Sequence, residues 1–100
     1  MPDDSLRFLT FWYRARCNGW WEHGKGITIE TLATPGWVVS IDLAETPLED
    51  VPMSPHTARR SDKDWITCRV EHNQFRGEGD PEKLLTILDV FRAWATQNSK

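Results

Sequence analysis

The sequence predicts an α+β fold, in which a small antiparallel sheet of three to four strands is covered on one face by an N-terminal and a C-terminal helix. Apolar residues recur at helical spacing near both ends of the chain, and between those ends they alternate with polar residues at the period of two typical of half-buried strands. The chain has 100 residues, 39% of them hydrophobic and 27% charged, which is enough apolar surface for one core. We therefore assign residues 1–100 to a single domain.

The first helix is predicted over residues 5–17, with Asp3, Asp4 and Ser5 offering N-cap oxygens and the two aspartates adding favourable negative charge at its start. Asn18 and Gly19 end it, since both tolerate the left-handed conformation of a C′ residue. Its buried stripe consists of apolar residues three or four apart, namely Phe8, Leu9, Trp12 and Ala15.

A β-hairpin is predicted within residues 20–43, because two alternating segments flank a Thr-Pro-Gly turn at 34–36. Pairing Ile29 with Ile41 places the apolar side chains of both strands on one face. That face is expected under the helices, and the opposite face is expected in water or against a partner. The opposite face is polar and acidic and carries Thr28, Glu30, Ser40 and Asp42.

The rest of the chain adds one or two strands and a second helix. Residues 44–63 read as an irregular connection with a short edge strand near His56 to Arg60, and residues 73–79 as a turn or short extension. Between them, Ile66, Cys68 and Val70 alternate with polar residues, which predicts a strand with Arg69 on the acidic face.

The C-terminal helix has the clearest signals. Asp80 is a good N-cap, Pro81 suits the first helical position, and Glu82 adds negative charge to the first turn. Its apolar face is expected across the sheet and consists of Leu84, Ile87, Leu88, Phe91, Trp94 and Ala95.

Charge excludes some partner classes. The net charge is −3, and residues 26–50 contain five acidic residues and no lysine or arginine. This pattern argues against nucleic-acid binding and favours a basic partner, although acids that merely solvate a strand and a loop explain it equally well. No apolar run approaches the ~18 residues of a membrane helix, and the N-terminus is acidic where a signal peptide is basic, so we expect a cytoplasmic protein without membrane association.

Catalytic and metal-binding motifs are sparse. Glu22 and His23 are adjacent and titratable, but no nucleophile motif or phosphate loop accompanies them, and hydrogen bonds that close a helix-to-strand turn are the simpler explanation. The two cysteines, Cys17 and Cys68, lie 51 apart and are expected to be reduced. Cys17, His23, Cys68 and His72 would make a Cys2His2 zinc set, but it fails unless the strand bends after Val70, because Cys68 and His72 are roughly 13 Å apart at ~3.3 Å per residue. We therefore predict no metal and no cofactor.

Six tryptophans exceed the usual number. Trp12, Trp65 and Trp94 have the spacing of core residues, whereas Trp37 is not assigned. Trp20 and Trp21 are consecutive, so in an extended segment one ring faces away from the other. One of them is a candidate exposed anchor for a partner, and a lid over the helix end is the alternative.

The order of several short motifs resembles the immunity protein 53 family of bacterial polymorphic toxin systems. The motifs are WY at 12–13, CNGWWEH at 17–23, IETL at 29–32, PGW at 35–37, IDL at 41–43, the pair Trp65 and Cys68, the series Phe75, Gly77 and Gly79, and a closing helix with Trp94. Departures occur at Asn18, where the family pattern has Asp, and at Ala33 and Thr34, where it has Asp and Asn. The resemblance implies a non-enzymatic protein that is made beside a toxin and blocks it.

Together these observations predict an immunity protein that binds and neutralises a basic toxin domain, with a nuclease among the open identities. The predicted partner-binding residues are Trp20, Trp21, Glu22, Glu30 and Asp42. The competing prediction is a small metal-dependent enzyme or zinc module using Glu22, His23 and the cysteines. A homodimer that buries the acidic face is a third possibility.

Overall fold

A computed structural model describes residues 4–98, so Asp3, one of the predicted capping residues, lies outside the described part of the chain. Five strands form one antiparallel sheet, between helices near the two ends of the chain. In chain order the elements are α1 (Asp4–Arg16), α2 (Trp21–Gly24), β1 (Ile27–Leu32), β2 (Gly36–Asp42), β3 (His56–Ser61), β4 (Asp64–Glu71), β5 (Gln74–Gly79) and α3 (Leu84–Gln97). The α+β class is thus as predicted, and the edge strand expected near His56 is β3.

The sheet has one strand more than the three to four predicted, because residues 73–79, predicted as a turn or short extension, contain β5. The spatial order is β1-β2-β5-β4-β3, so the missed strand lies at the centre of the sheet. Its Gly77 and Gly79 resemble turn residues in the sequence, but both are buried in the sheet. A Cβ atom on Gly77 would come closer than 3.0 Å to Ile87 of α3. The glycine therefore allows the helix to approach the sheet closely.

The hairpin forms where predicted, with its register displaced by two residues. Ile27 pairs with Ile41 and Ile29 pairs with Val39, whereas the prediction paired Ile29 with Ile41. The cause is the position of the three-residue turn, which lies at residues 33–35, between the paired Leu32 and Gly36, one residue earlier than the predicted turn at 34–36. A shift of two keeps every side chain on its predicted face, so the apolar and polar sides are as expected.

The core lies between the sheet and the two long helices. Phe91 of α3 occupies its centre, with ring centroids 5.1 Å from Phe75 of β5 and 5.3 Å from Trp12 of α1. Both predicted helical stripes face this core, except that Ala15 is exposed and Ser5 is buried in its place. The Ser5 hydroxyl donates to the Asp89 carboxylate and so ties α1 to α3.

The tryptophans predicted to be in the core divide into two groups. Trp12 and Trp94 are buried as expected. Trp65 is wrongly predicted, because it is half-exposed on the outer side of β4, where the Arg59 guanidinium lies 5.8 Å from its ring. Trp37 is half-buried and donates its indole N–H to the carbonyl of Pro81 at 2.9 Å.

The last helix begins three residues later than its capping signals predict. Lys83 occupies the N-cap position of α3, whereas Asp80, Pro81 and Glu82 lie in the preceding turn. Asp80 therefore caps this turn instead of the helix.

The buried Asp80 carboxylate joins three segments. It accepts hydrogen bonds from the Lys83 ammonium at 2.7 Å and from the backbone amides of Glu82 and Trp65, each at 2.8 Å. Lys83 also donates to Asp64 at 2.7 Å. The hydrogen bond from Lys83, supported by the two amides, lowers the pKa of Asp80 to about 2 in spite of its burial. This carboxylate fixes the exit of β5 against the start of β4 and thereby positions α3.

Candidate functional site

The turn between α1 and α2 is held by the side chains of Asn18 and Glu22, which accept hydrogen bonds from backbone amides of the turn. The Asn18 side-chain oxygen accepts hydrogen bonds from the amides of Trp20 at 2.9 Å and Trp21 at 3.0 Å. The Glu22 carboxylate accepts in return from the amides of Asn18 at 2.9 Å and Gly19 at 2.7 Å. This arrangement resembles a capping box and closes the turn between the two helices. The sequence predicts such hydrogen bonds for Glu22 and His23 at a helix-to-strand turn, whereas in the structure Glu22 makes them one turn earlier.

Glu22 is consequently a poor candidate for acid/base chemistry. Bonding to its own backbone amide, with further bonds from the amides of Asn18 and Gly19, holds its pKa below the usual range. His23 is exposed, and within residues 4–98 no hydrogen bond joins its imidazole to Glu22. The adjacent pair therefore lacks the contact through which a base and an acid would cooperate.

The two consecutive tryptophans point in different directions. Trp21 is only 1% exposed, donates its indole N–H to the carbonyl of Ala44 at 3.2 Å, and packs edge-to-face on Trp12. Trp20 is 81% exposed. The prediction that named both rings as partner-binding is therefore corrected for Trp21, which is a core residue, and only Trp20 is accessible.

Helix α1 exposes further apolar side chains, but they do not form one patch. Leu6, Phe11 and Tyr13 are all exposed. Phe11 and Tyr13 are two residues apart, so they point to different sides of the helix. Tyr13 lies on the side of α2, because its ring centroid is 6.0 Å from that of Trp21.

Glu30 and Asp42 share the outer face of the sheet without forming a common patch. Glu30 pairs with Val38, and Asp42 lies four residues farther along β2, about 13 Å at ~3.3 Å per residue. The Asp42 carboxylate is already engaged, accepting hydrogen bonds from the Gly26 amide at 2.8 Å and the Gln74 side chain at 2.7 Å. Glu30 is exposed and makes no hydrogen bond or ion pair with any described residue.

The outer face as a whole is mixed in charge, which corrects the prediction of an acidic face. Arg69 lies there as predicted, and β5 adds Arg76 directly opposite it. Arg69 forms ion pairs with Glu71 at 3.1 Å and Glu78 at 3.6 Å, and Arg76 pairs with Glu78 at 3.3 Å. The hydrogen bond with Arg69 also lowers the pKa of Glu71. Excess negative charge is therefore confined to the β1–β2 side, where Glu30 lies.

The residues of the proposed zinc set do not converge. Cys68 is completely buried in the core, where burial raises the pKa of its thiol to about 12. Cys17 is exposed at the end of α1 and donates its S–H to the carbonyl of Tyr13 at 3.3 Å. Within the described range 4–98, no group of three or more His, Cys, Asp or Glu side chains is close enough to hold a metal ion.

Two surface cavities flank the C-terminal part of α3. The larger, of about 740 Å³, is lined mostly by apolar side chains together with Arg16, whose guanidinium lies 5.2 Å from the Trp12 ring. The smaller, of about 540 Å³, includes His56 and Asp89. Asp89 accepts from Ser5, and in the described chain it has no hydrogen bond to His56. Neither cavity presents an assembled nucleophile and base.

A family model for immunity protein 53 matches residues 6–96, which extends from α1 through α3. The chain belongs to the immunity protein 53 family. Membership confirms the resemblance inferred from the motifs and points to a non-enzymatic role. The comparisons found no matching curated protein and no matching solved structure. Among the helices of residues 4–98, none has the length and hydropathy needed to cross a membrane.

The segment CNGWWEH at 17–23, one of the motifs on which the resemblance was inferred, is mainly a structural element. It supplies the reciprocal cap of Asn18 and Glu22 and the buried ring of Trp21. Asn18, where the resemblance leads us to expect an aspartate, is a competent cap, because its side-chain oxygen accepts both amides as an aspartate oxygen would. Of the motif's central residues, Trp20 is left facing solvent.

Proposed function

We propose that this chain is an immunity protein of a bacterial polymorphic toxin system, which binds a cognate toxin domain in the cytoplasm of the producing cell and blocks it by covering its surface. The observation that carries the proposal is the family match over residues 6–96. The engaged carboxylate of Glu22 and the separate environments of Cys17 and Cys68 are consistent with inhibition by binding.

A basic toxin domain is the partner that the charge distribution favours. Residues 26–50 contain five acidic residues and no lysine or arginine. Complementary charge accelerates encounter and disfavours wrong partners, and its effect declines as salt screens it. A nuclease fits this description, since an enzyme that binds a polyanion presents a basic surface.

Trp20 and Glu30 are the leading candidates for direct contact. Trp20 offers a large exposed ring of the kind that dominates binding energy when a partner buries it. Glu30 has its carboxylate available on the acidic side of the sheet. Asp42 and Glu22 have carboxylates that already hold backbone amides, so we assign them to the margin of the surface.

The proposal is tested by co-expressing this chain with the product of the neighbouring gene and scoring cell survival and co-purification. We expect survival and a stable complex for the wild-type chain. Trp20→Ala and Glu30→Lys should weaken the complex while leaving the thermal melting curve unchanged. Glu82→Lys is the matched charge control, because Glu82 is exposed in the turn before α3. Cell death with no co-purified partner would contradict the proposal.

A further inference from the structure

The two edge strands of the sheet differ in how they are protected. The outer strand β3 carries Arg59 and Arg60, and its pairing with β4 is irregular between Arg59 and Ser61. Charged side chains and bulges are the usual means of preventing another strand from adding to an edge. Strand β1, with the sequence ITIETL, has no proline, glycine, lysine or arginine and pairs regularly with β2 over all six residues. Its free edge has no bulge and no basic side chain, and Glu30 is the one charged residue of the strand.

The hydrogen-bond pattern identifies which backbone groups of β1 are open. The Asp42 amide donates to the carbonyl of Gly26 at 3.0 Å, so these opposed residues form a hydrogen-bonded pair. Since such pairs alternate along antiparallel strands, the even-numbered residues of β1 bond to β2. The N–H and C=O groups of Ile27, Ile29 and Thr31 therefore point away from the sheet.

The side chains of this edge provide recognition on both faces. On the helix-covered face, Ile29 remains 39% exposed. On the outer face, Glu30 is exposed and has no ion pair among residues 4–98. A strand added here would meet an apolar side chain on one face and an uncompensated carboxylate on the other.

From this geometry we propose that the toxin partner contributes an extended segment that pairs with the open edge of β1. The segment would carry a lysine or arginine facing Glu30 and an apolar residue against Ile29. Such strand addition obtains affinity from main-chain hydrogen bonds and specificity from alternate side chains. The inference rests on the proposed function, because it assigns the toxin as the occupant of the edge.

A second copy of this chain fits the same edge less well. One symmetric antiparallel register places Glu30 opposite Glu30 of the other copy, which like charges disfavour. The neighbouring registers place Glu30 opposite Thr28 or Leu32 and leave the carboxylate without a basic partner. Moreover, one pair of six-residue strands covers much less than the about 1,200 Å² of a stable interface. A basic partner that also contacts surface beyond β1 would satisfy both requirements.

Hydrogen–deuterium exchange on the complex co-purified with the neighbouring gene product tests the assignment. In the free protein the amides of Ile27, Ile29 and Thr31 should exchange rapidly, because they have no partner on the open side. In the complex these three amides should become protected. Exchange rates of these three amides that are the same in the complex as in the free protein would overturn the assignment.

A proline substitution provides an independent test. Ile29→Pro removes one outward N–H, and an edge residue of this kind tolerates proline without loss of a ladder hydrogen bond. We expect an affinity for the co-purified toxin domain about tenfold lower or more, since a main-chain bond is lost and the ring obstructs pairing. The matched control Ile29→Val keeps the donor and should bind within about twofold of wild type. Wild-type affinity for Ile29→Pro would overturn the assignment.

These experiments separate failure of the edge from failure of the function. If the wild-type chain retains no toxin, the proposed function itself fails. If the complex forms but Ile29→Pro binds normally and exchange at β1 is unchanged, only the edge assignment fails. Protection of these amides in the free protein that rises with its concentration would identify a second copy as the occupant and overturn the assignment to the toxin. If Ile29→Pro does not fold, exchange in the unmodified chain decides the question.

Discussion

Adding a single methyl group at Gly77 tests whether α3 packs so closely on the central strand that only a glycine fits there. In Gly77→Ala the new Cβ would lie closer than 3.0 Å to the Cγ2 atom of Ile87 and 3.3 Å from the sulfur of Cys68. Both neighbours are completely buried. The Ile87 methyl group cannot move aside easily, because a β-branched side chain in a helix is restricted to one main rotamer.

The magnitude follows from two opposing effects. Overpacking of a core typically costs about 1–3 kcal/mol. Replacing glycine by alanine restricts the unfolded chain and returns about 0.4–1 kcal/mol. We therefore expect Gly77→Ala to lower the free energy of unfolding by about 1.3 kcal/mol, which corresponds to a decrease in Tm of about 5–10 °C for a domain of this size.

Urea denaturation of a double-mutant cycle tests the physical cause. Ile87→Ala alone should cost about 2–5 kcal/mol because it leaves a cavity. Combined with Gly77→Ala, which partly fills that cavity, the loss should be smaller than the sum of the two by about 1 kcal/mol or more. Gly24→Ala is the matched control, since a Cβ atom there meets nothing within 4 Å and should leave stability unchanged or slightly higher. Additive effects in the cycle, or a neutral Gly77→Ala, would refute the packing argument.

Three further predictions concern individual side chains. The pKa of Asp80 is held at about 2, below its unfolded value, so the stabilisation it provides should be present above about pH 4 and lost as the pH falls through about 2. Asp80→Asn should remove this part of the pH dependence of stability in urea titrations. An unchanged acid profile in the variant would argue against this role of Asp80. Trp21→Ala should lower stability by about 3–5 kcal/mol whereas Trp20→Ala should not, because only the first ring is buried; equal melting temperatures would contradict this assignment. Cys17 should react with a maleimide in the native state, whereas the thiol of Cys68, buried and with its pKa raised to about 12, should react only on unfolding. Mass spectrometry measures the labelling, and rapid labelling of both thiols in the native state would contradict the burial of Cys68.

The sequence predicts the elements that have a clear hydrophobic period. The stripes of α1 and α3 and the alternation of the hairpin follow from the spacing of apolar residues, and the structure confirms their faces. Strand β5 lacks such a period, because two of its inward positions are Gly77 and Gly79. These glycines are explained only by the approach of α3 and the adjacent turn, which is a tertiary contact that local patterns do not reveal.

Boundaries and register depend on details of turns. The hairpin turn lies at residues 33–35 instead of 34–36, and this displacement by one residue moves the pairing by two positions. The signals at Asp80 and Pro81 do mark a cap, but it belongs to the turn before α3. In both places the sequence predicts the type of turn or cap correctly but misplaces it along the chain.

The candidate site is less accessible to sequence reasoning than the fold. The adjacency of Trp20 and Trp21 predicts that one ring faces away, but only the packing on Trp12 identifies which. The engagement of Asp42 by Gly26 and Gln74 likewise depends on strand pairing. The open edge of β1 could not be predicted, because its position follows from where β5 inserts in the sheet.

Light scattering coupled to gel filtration tests most directly whether this protein acts by covering the surface of a toxin. The purified chain, of 11.6 kDa, is mixed with the purified product of the neighbouring gene at low salt and at high salt. We predict one species with the summed mass of one copy of each protein. The complex should dissociate more readily as salt screens the acidic residues within 26–50. Two separate peaks with unchanged masses at every salt concentration would contradict the proposed function.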